Sequence, residues 1–266
     1  MMINYDQMKP EPNLAIGIVG GMGPLAGNML FNRIICNTPA KTDQEHLPVI
    51  LISFPSEIMD RSVFLDGIIE ENPAYAIIGV IKRLEAAGAG IVGMACNTSY
   101  SAAIYNIIKQ ELKKLGSRVE LLHMPMETCL HLKDNFPESS RIGLMTSNGT
   151  YKTGLYKKIL QDMNYEVIVP DADFQDGIIH RIVYDPDWGI KACQNKISEK
   201  ALTMFQQAIA FFKDNQTDAI ILGCTEFSLI TSAELIKGIS IIDATDCLAK
   251  AMVKKALAQR FVAQGL

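Results

Sequence analysis

The amino-acid sequence predicts two similar doubly wound α/β domains with mainly parallel sheets and an active-site cleft between them. Three observations carry the prediction. Short, nearly continuous apolar runs alternate with stretches of helical period, the pattern of strands buried on both faces of a parallel sheet and covered by helices. The order of elements repeats coarsely, over Ala15 to Leu115 and again over Arg141 to about Ile230, although residue identity between the halves is low. A cysteine directly follows a strand-like run at the matching place in each half, at Cys96 and at Cys224.

The first run, Ala15–Val19, leads into Gly20-Gly21-Met22-Gly23-Pro24. Gly21-x-Gly23-x-x-Ala26 matches a loose dinucleotide fingerprint, but that fingerprint needs an acid at the end of the second strand to hold a ribose. The second run, Val49–Phe54, passes into Pro55-Ser56 and reaches Glu57 only later. The turn reads better as backbone N–H groups around Met22 and Gly23 presented to a carboxylate, with Pro24 the first helical residue. Met59-Asp60-Arg61-Ser62 follows near the same face, and two readings fit it. One is a surface ion pair, which contributes little; the other is a guanidinium gripping a carboxylate.

Asn72-Pro73 is expected to open a helix with Pro at its first position, an inward stripe of Ile77, Val80, Ile81 and Leu84, and a stop at Gly88. The strand Gly90–Ala95 then delivers Cys96-Asn97-Thr98-Ser99, and a helix runs from Ser101 to Leu115. Val119–His123 and Arg141–Met145 are strands, the second followed by Thr146-Ser147-Asn148-Gly149-Thr150. Tyr165–Val169 is another, and Ile197 to Phe212 is helical. The strand Ala219–Leu222 delivers Cys224-Thr225-Glu226, Ile239–Ile242 is the last strand, and a helix from about Thr245 to Gln264 closes the chain.

Composition bounds the function. The chain has 266 residues, 48% hydrophobic and 20% charged, so it can bury a substantial core. A formal charge of −4 gives no basic footprint for nucleic acid. No apolar run approaches the ~20 residues that span a bilayer, and the polar stretch Met1 to Asn13 does not read as a signal peptide. A cytoplasmic protein is expected. The six cysteines are scattered and form no C-x-x-C, so free thiols fit better than a disulfide framework or a zinc ribbon.

Cys36, Cys129, Cys193 and Cys247 read as small buried hydrophobes. Cys96 and Cys224 differ, because the Asn97-Thr98-Ser99 and Thr225-Glu226 that follow them would be wasted in a core but suit helix starts presenting donors to an anion. A helix amino terminus eases deprotonation of a thiol, and two such thiols could face one substrate as acid and base. Asp171-x-Asp173-x-x-Asp176-Gly177 fails the calcium-loop register, because position six is Asp176 and not Gly. The four histidines show no ligand spacing, and no metal is expected.

Gly20-Gly21-Met22-Gly23-Pro24, Asp60-Arg61-Ser62, Ala95-Cys96-Asn97-Thr98 and Gly223-Cys224-Thr225-Glu226 together resemble the cofactor-independent aspartate/glutamate racemase superfamily, most closely its aspartate racemase branch. The resemblance spans roughly Leu14 to Ala251. It implies that Cys96 and Cys224 are the catalytic bases and that Arg61 binds the distal carboxylate. Lys191 is implicated through a looser match in Ile190-Lys191-Ala192. Met22, Gly23, Asn97, Thr98, Ser99, Thr225 and Glu226 complete the expected substrate site.

The resemblance further implies that the last helix returns to the first domain, which gives residues 1–117 plus 237–266 as one domain and 118–236 as the other. It implies a homodimer acting on a small amino acid without a cofactor. Glutamate racemases carry D-S-G in the first turn and His after the second cysteine motif, where this chain has Met22-Gly23 and Glu226. Aspartate is therefore the expected substrate. A broad-specificity or glutamate-acting racemase, and a non-catalytic amino-acid-binding relative, are the alternatives.

Overall fold

The computed structural model describes residues 15–193, 196–231 and 233–263. The expected tail Met1 to Asn13 and the expected end of the last helix at Gln264 lie outside them. The first half runs β1 (Ala15–Gly20), α1 (Pro24–Asn37), β2 (Val49–Ser53), α2 (Arg61–Leu65), α3 (Ala74–Ala86), β3 (Ala89–Met94), α4 (Ala102–Lys114) and β4 (Glu120–Leu121). After α5 (Met124–Asn135), the second half begins with β5 (Arg141–Thr146), α6 (Asn148–Thr153), α7 (Leu155–Asp162) and β6 (Glu166–Ile168). A helical run of α8 (Ala172–Phe174), a π-turn (Gln175–His180) and α9 (Arg181–Tyr184) leads to α10 (Glu199–Asp214) and β7 (Ala219–Gly223). The chain closes with β8 (Leu235–Ile236), β9 (Ile239–Asp243) and α11 (Ala244–Ala263).

The strand orders are β2-β1-β3-β4 and β6-β5-β7-β9-β8. Numbered within each half, the paths are 2-1-3-4 and 2-1-3-5-4; leaving out the antiparallel hairpin strand β8, the parallel strands follow one path in both, so the repeat expected from the sequence is a repeat of topology. All pairings are parallel except β8 with β9. The cysteine-bearing strands β3 and β7 are central and buried along their whole length, which explains their unbroken apolar runs.

Departures from expectation lie at the edges. β2 is half-buried at every position, and Val119–His123 shrinks to the two residues of β4. The hairpin strand β8 escapes sequence reading because it has only two residues. Its turn, Lys237-Gly238, holds both residues at positive φ (51° and 84°), the geometry two-residue hairpins favour. Pro73 caps α3 from outside instead of starting it, and the Asn72 side chain accepts from the Ala74 N–H at 2.9 Å.

Sheet membership shows where the chain leaves each sheet. β4 pairs with β3 in the first sheet, and β9 pairs with β7 in the second. The chain therefore leaves the first sheet after Leu121 and the second after Asp243, later than 117/118 and 236/237. From Ala244 onward, Leu248, Met252 and Val253 of α11 pack into the core of the first half. Met252 Sδ would lie only 2.7 Å from a Cβ placed on Gly93, so glycine in β3 is what lets this helix seat so closely.

Candidate active site between the two halves

The Gly-rich turn leaves β1 through Gly21, whose φ of +85° suits glycine. Gly23 becomes the N-cap of α1 with Pro24 inside its first turn, as expected. A Cβ on Gly23 would lie 3.5 Å from Lys191 Nζ and 3.7 Å from Glu226 Oε1. The turn of one half thus touches the charged pair of the other.

Arg61 is not part of a surface ion pair. Asp60 caps α2, accepting from the Ser62 and Val63 N–H groups at 2.7 and 3.1 Å. Arg61, the first residue of that helix, is 5% exposed. Its guanidinium donates to the Met22 carbonyl at 2.9 Å and the Met59 carbonyl at 3.1 Å. Its Nε is buried with no partner. Burial works against the charge, but Cys96, Asp60 and Tyr184 outweigh it and hold the guanidinium firmly protonated.

Cys96 ends β3 and caps a 3-10 turn, Asn97–Tyr100. The turn is tied to the second half: Tyr156 donates to Asn97 Oδ1 at 2.6 Å, and the Thr98 and Thr150 hydroxyls meet at 3.0 Å. Asn97 Nδ2 is buried without a partner, a donor held ready beside Cys96. The Thr98 and Ser99 hydroxyls serve protein contacts, Ser99 reaching Met22 Sδ at 3.2 Å. Gly149 closes this junction, since a Cβ there would sit 2.6 Å from Ser62 Oγ and 2.7 Å from Thr98 Cγ2.

Cys224 ends β7 and caps the matching 3-10 turn, Thr225–Leu229. Its thiol donates to Glu226 Oε2 at 3.1 Å, and the Thr225 hydroxyl reaches the same oxygen at 3.2 Å. Lys191 forms an ion pair with the other oxygen, Oε1, and lies over the Tyr184 ring with Nζ 5.2 Å from its centre. Burial would raise the Glu226 carboxyl, but Lys191 wins and holds it below the usual carboxylate value. Burial pushes the Cys224 thiol well above its ordinary value, and Glu226 adds to that. The expected easing of deprotonation at a helix start is therefore overturned at Cys224: its turn is short, its site is dry and its nearest charge is negative.

A cavity of about 420 Å³ lies between the halves, bounded by the Gly-rich turn, the Pro55–Arg61 segment, Lys191 and Glu226. Neither cysteine forms part of its wall. Each lies behind it, Cys224 hydrogen-bonded to Glu226 and Cys96 near enough to Arg61 to act on its charge. Sequence reading missed Tyr184, a half-buried phenol that feels Asp60, Cys224, Glu226 and Arg61 together and stacks on His180 at 4.5 Å. It also missed Tyr156 and Thr150; these stand on helices with no local mark of function. Among the described residues, no group of three or more His, Cys, Asp or Glu could hold a metal ion, and Asp171 instead caps α8.

Two α/β lobes whose parallel strands follow one path, each with a cysteine just past a central strand and near a shared cavity, define a two-lobed α/β enzyme with its site at the strand carboxyl ends. A sequence model described as Asp/Glu/hydantoin racemase matches residues 19–252. The chain belongs to that family, whose members are isomerases. It is similar to the aspartate racemase of Picrophilus torridus, with 29% identity, a TM-score of 0.71 and coverage of 91% of this chain and 94% of the other. An aspartate racemase homologue from Pyrococcus horikoshii OT3 shares the fold with a TM-score of 0.65 at 20% identity, covering 91% and 99%. A glutamate racemase of Carboxydothermus hydrogenoformans is 26% identical over 190 residues, 68% of this chain. That match spans only 60% of the relative's own length.

Proposed function

We propose that the protein racemises an acidic amino acid, aspartate first, by moving a proton off one face of Cα and returning one to the other through Cys96 and Cys224. The observation that carries this reading is the bracketing of one inter-lobe cavity by Arg61, with Cys96 behind it, and by Lys191–Glu226, with Cys224 behind them.

Cys224 rests as a thiol, so in one direction it is the acid that delivers a proton to Cα. In the other direction it must become the base, and its proton has an acceptor already aligned in Glu226, kept ionised by Lys191. Carbanion charge would be carried by donors around the α-carboxylate, with the unpartnered Asn97 Nδ2 the best placed. One such donor contributes roughly 3 kcal/mol in a transition state. Arg61, with two donors committed to carbonyls and Nε unused, orients the side-chain carboxylate and thereby Cα.

Preference for aspartate rests on the likeness to the Picrophilus enzyme and on Glu226 standing where glutamate racemases carry His. The homodimer and a cytoplasmic location belong to the same proposal; among the described residues no helix is long and apolar enough to cross a membrane. The test is incubation of the purified chain with L-aspartate in D2O without added cofactor, following Cα deuteration and optical rotation together. Deuteration with loss of rotation is expected. Deuteration with rotation retained, or neither, overturns the reading, and faster loss with L-glutamate would reassign the substrate.

A further inference from the structure

A second cavity, of about 310 Å³, lies wholly within the second half, against the face of its sheet where β5 ends. Leu144 and Val169 supply apolar wall, and Thr146, Tyr156, Lys152 and Lys157 supply the polar part. Among the described residues, no acidic residue lines it. Thr146 is 2% exposed, and its hydroxyl is buried without a hydrogen-bond partner. A buried orphan hydroxyl costs stability in the empty protein, and Thr146 belongs to a wall that also carries Lys152 and Lys157. No side chain caps α7, whose N-cap residue, Gly154, forms another part of the wall and has open space where a Cβ would be. Uncapped helix start, cationic rim and unpaired hydroxyl all favour an oxyanion. The apolar wall favours a short hydrocarbon body attached to it.

The same residues reach the first half. Tyr156 holds Asn97, Thr150 meets Thr98, and Lys152 pairs with Asp66 at 2.6 Å, at the end of the helix that Arg61 begins. We propose that this cavity is a second ligand site, for an oxyanion carried on a short apolar body, and that its occupancy bears on the Cys96 turn. Lys152 is the exchange point, because an anion there competes with Asp66.

Calorimetric titration of the full chain with benzoate and with phenyl phosphate tests the site without reference to turnover. Inorganic phosphate serves as the probe lacking an apolar body. One molecule of benzoate or phenyl phosphate per chain is expected, with weaker binding of phosphate; the stronger of the two organic probes tells whether the head group is a carboxylate or a phosphate. Replacing Thr146→Val, or Lys152→Met with Lys157→Met, should weaken binding by about tenfold each. Thr146→Val should also melt slightly higher than the parent when no probe is added, since it removes an unpaired buried hydroxyl. Hydrogen exchange of residues 96–100 should slow in the probe's presence. No binding, binding abolished by Arg61→Leu but untouched by the Thr146 and lysine variants, or binding without any change at residues 96–100 would each overturn the proposal.

Discussion

Cys96 and Cys224 each end a buried central strand and cap a short 3-10 turn, yet the side chains they meet carry opposite charge. Cys96 lies near a buried guanidinium that donates to two backbone carbonyls and keeps Nε unpartnered. Cys224 faces a carboxylate that is itself held by an ammonium. The two lobes share the strand, the sulfur and the turn, but not the electrostatics. The lesson is that lobes alike in topology can set like side chains in unlike fields, one sulfur near a cation and one bonded to a carboxylate.

The sharpest break would come from the sulfurs themselves. Cys96→Ser and Cys224→Ser should each lower racemisation by at least about a thousandfold, because an alcohol is a far weaker acid and base in the same place. Circular dichroism should show both variants folded. Near-native activity in either would dissolve the comparison.

Arg61→Leu comes next, with a loss of about a hundredfold in kcat/KM for aspartate and a much smaller change in unfolding midpoint. Equal turnover of a neutral amino acid before and after the change would confirm that Arg61 reads the side-chain carboxylate. Unchanged aspartate kinetics would place that grip elsewhere.

Glu226→Gln should cost about tenfold in turnover and shift the pH dependence of Cys224 alkylation toward lower pH. The sign follows from the charges: the carboxylate holds the thiol up, and its removal leaves Lys191 to favour the thiolate. An unmoved or upward-shifted profile would show that burial alone governs this sulfur.

The smallest effect concerns acid. His123 packs edge-on against Tyr100 of the Cys96 turn at 4.9 Å, and burial pushes its pKa from 6.5 down to about 4. Between those values the unfolded chain binds a proton that the folded chain refuses, so stability falls as pH drops through that window. The slope is at most about 1.4 kcal/mol per pH unit. His123→Asn, which keeps a capping side chain for α5, should flatten that slope in denaturant titrations at pH 7 and 5. An unaltered slope would assign the acid sensitivity to another group.

Much of this was legible in the sequence. β1, β3, β5, β7 and β9 announce themselves because strands buried on both faces have no polar side to interrupt the apolar run. Pro24 and Ser101 mark helix starts by local geometry alone. Edge strands β4 and β6 blur, since their exposed residues lack the pattern, and Leu235–Ile236 is too short to have one. Within the site, Cys96, Cys224, Arg61 and Glu226 carry local marks, whereas Tyr184, Tyr156 and Thr150 look like any other helical residues. Their roles come only from what the other lobe brings to them.

The sequence by itself determined the class of fold, the duplicated lobe and the two sulfurs at strand ends, because each depends on residues within a few positions of one another. The tertiary structure alone decided the sheet to which β4 and β9 belong and the sign of the charge beside each thiol. Arg61 meets Met22 across 39 residues, Lys191 meets Glu226 across 35 and Tyr156 meets Asn97 across 59. Electrostatic neighbours act through space in a dry interior, and chain separation leaves no local trace of them.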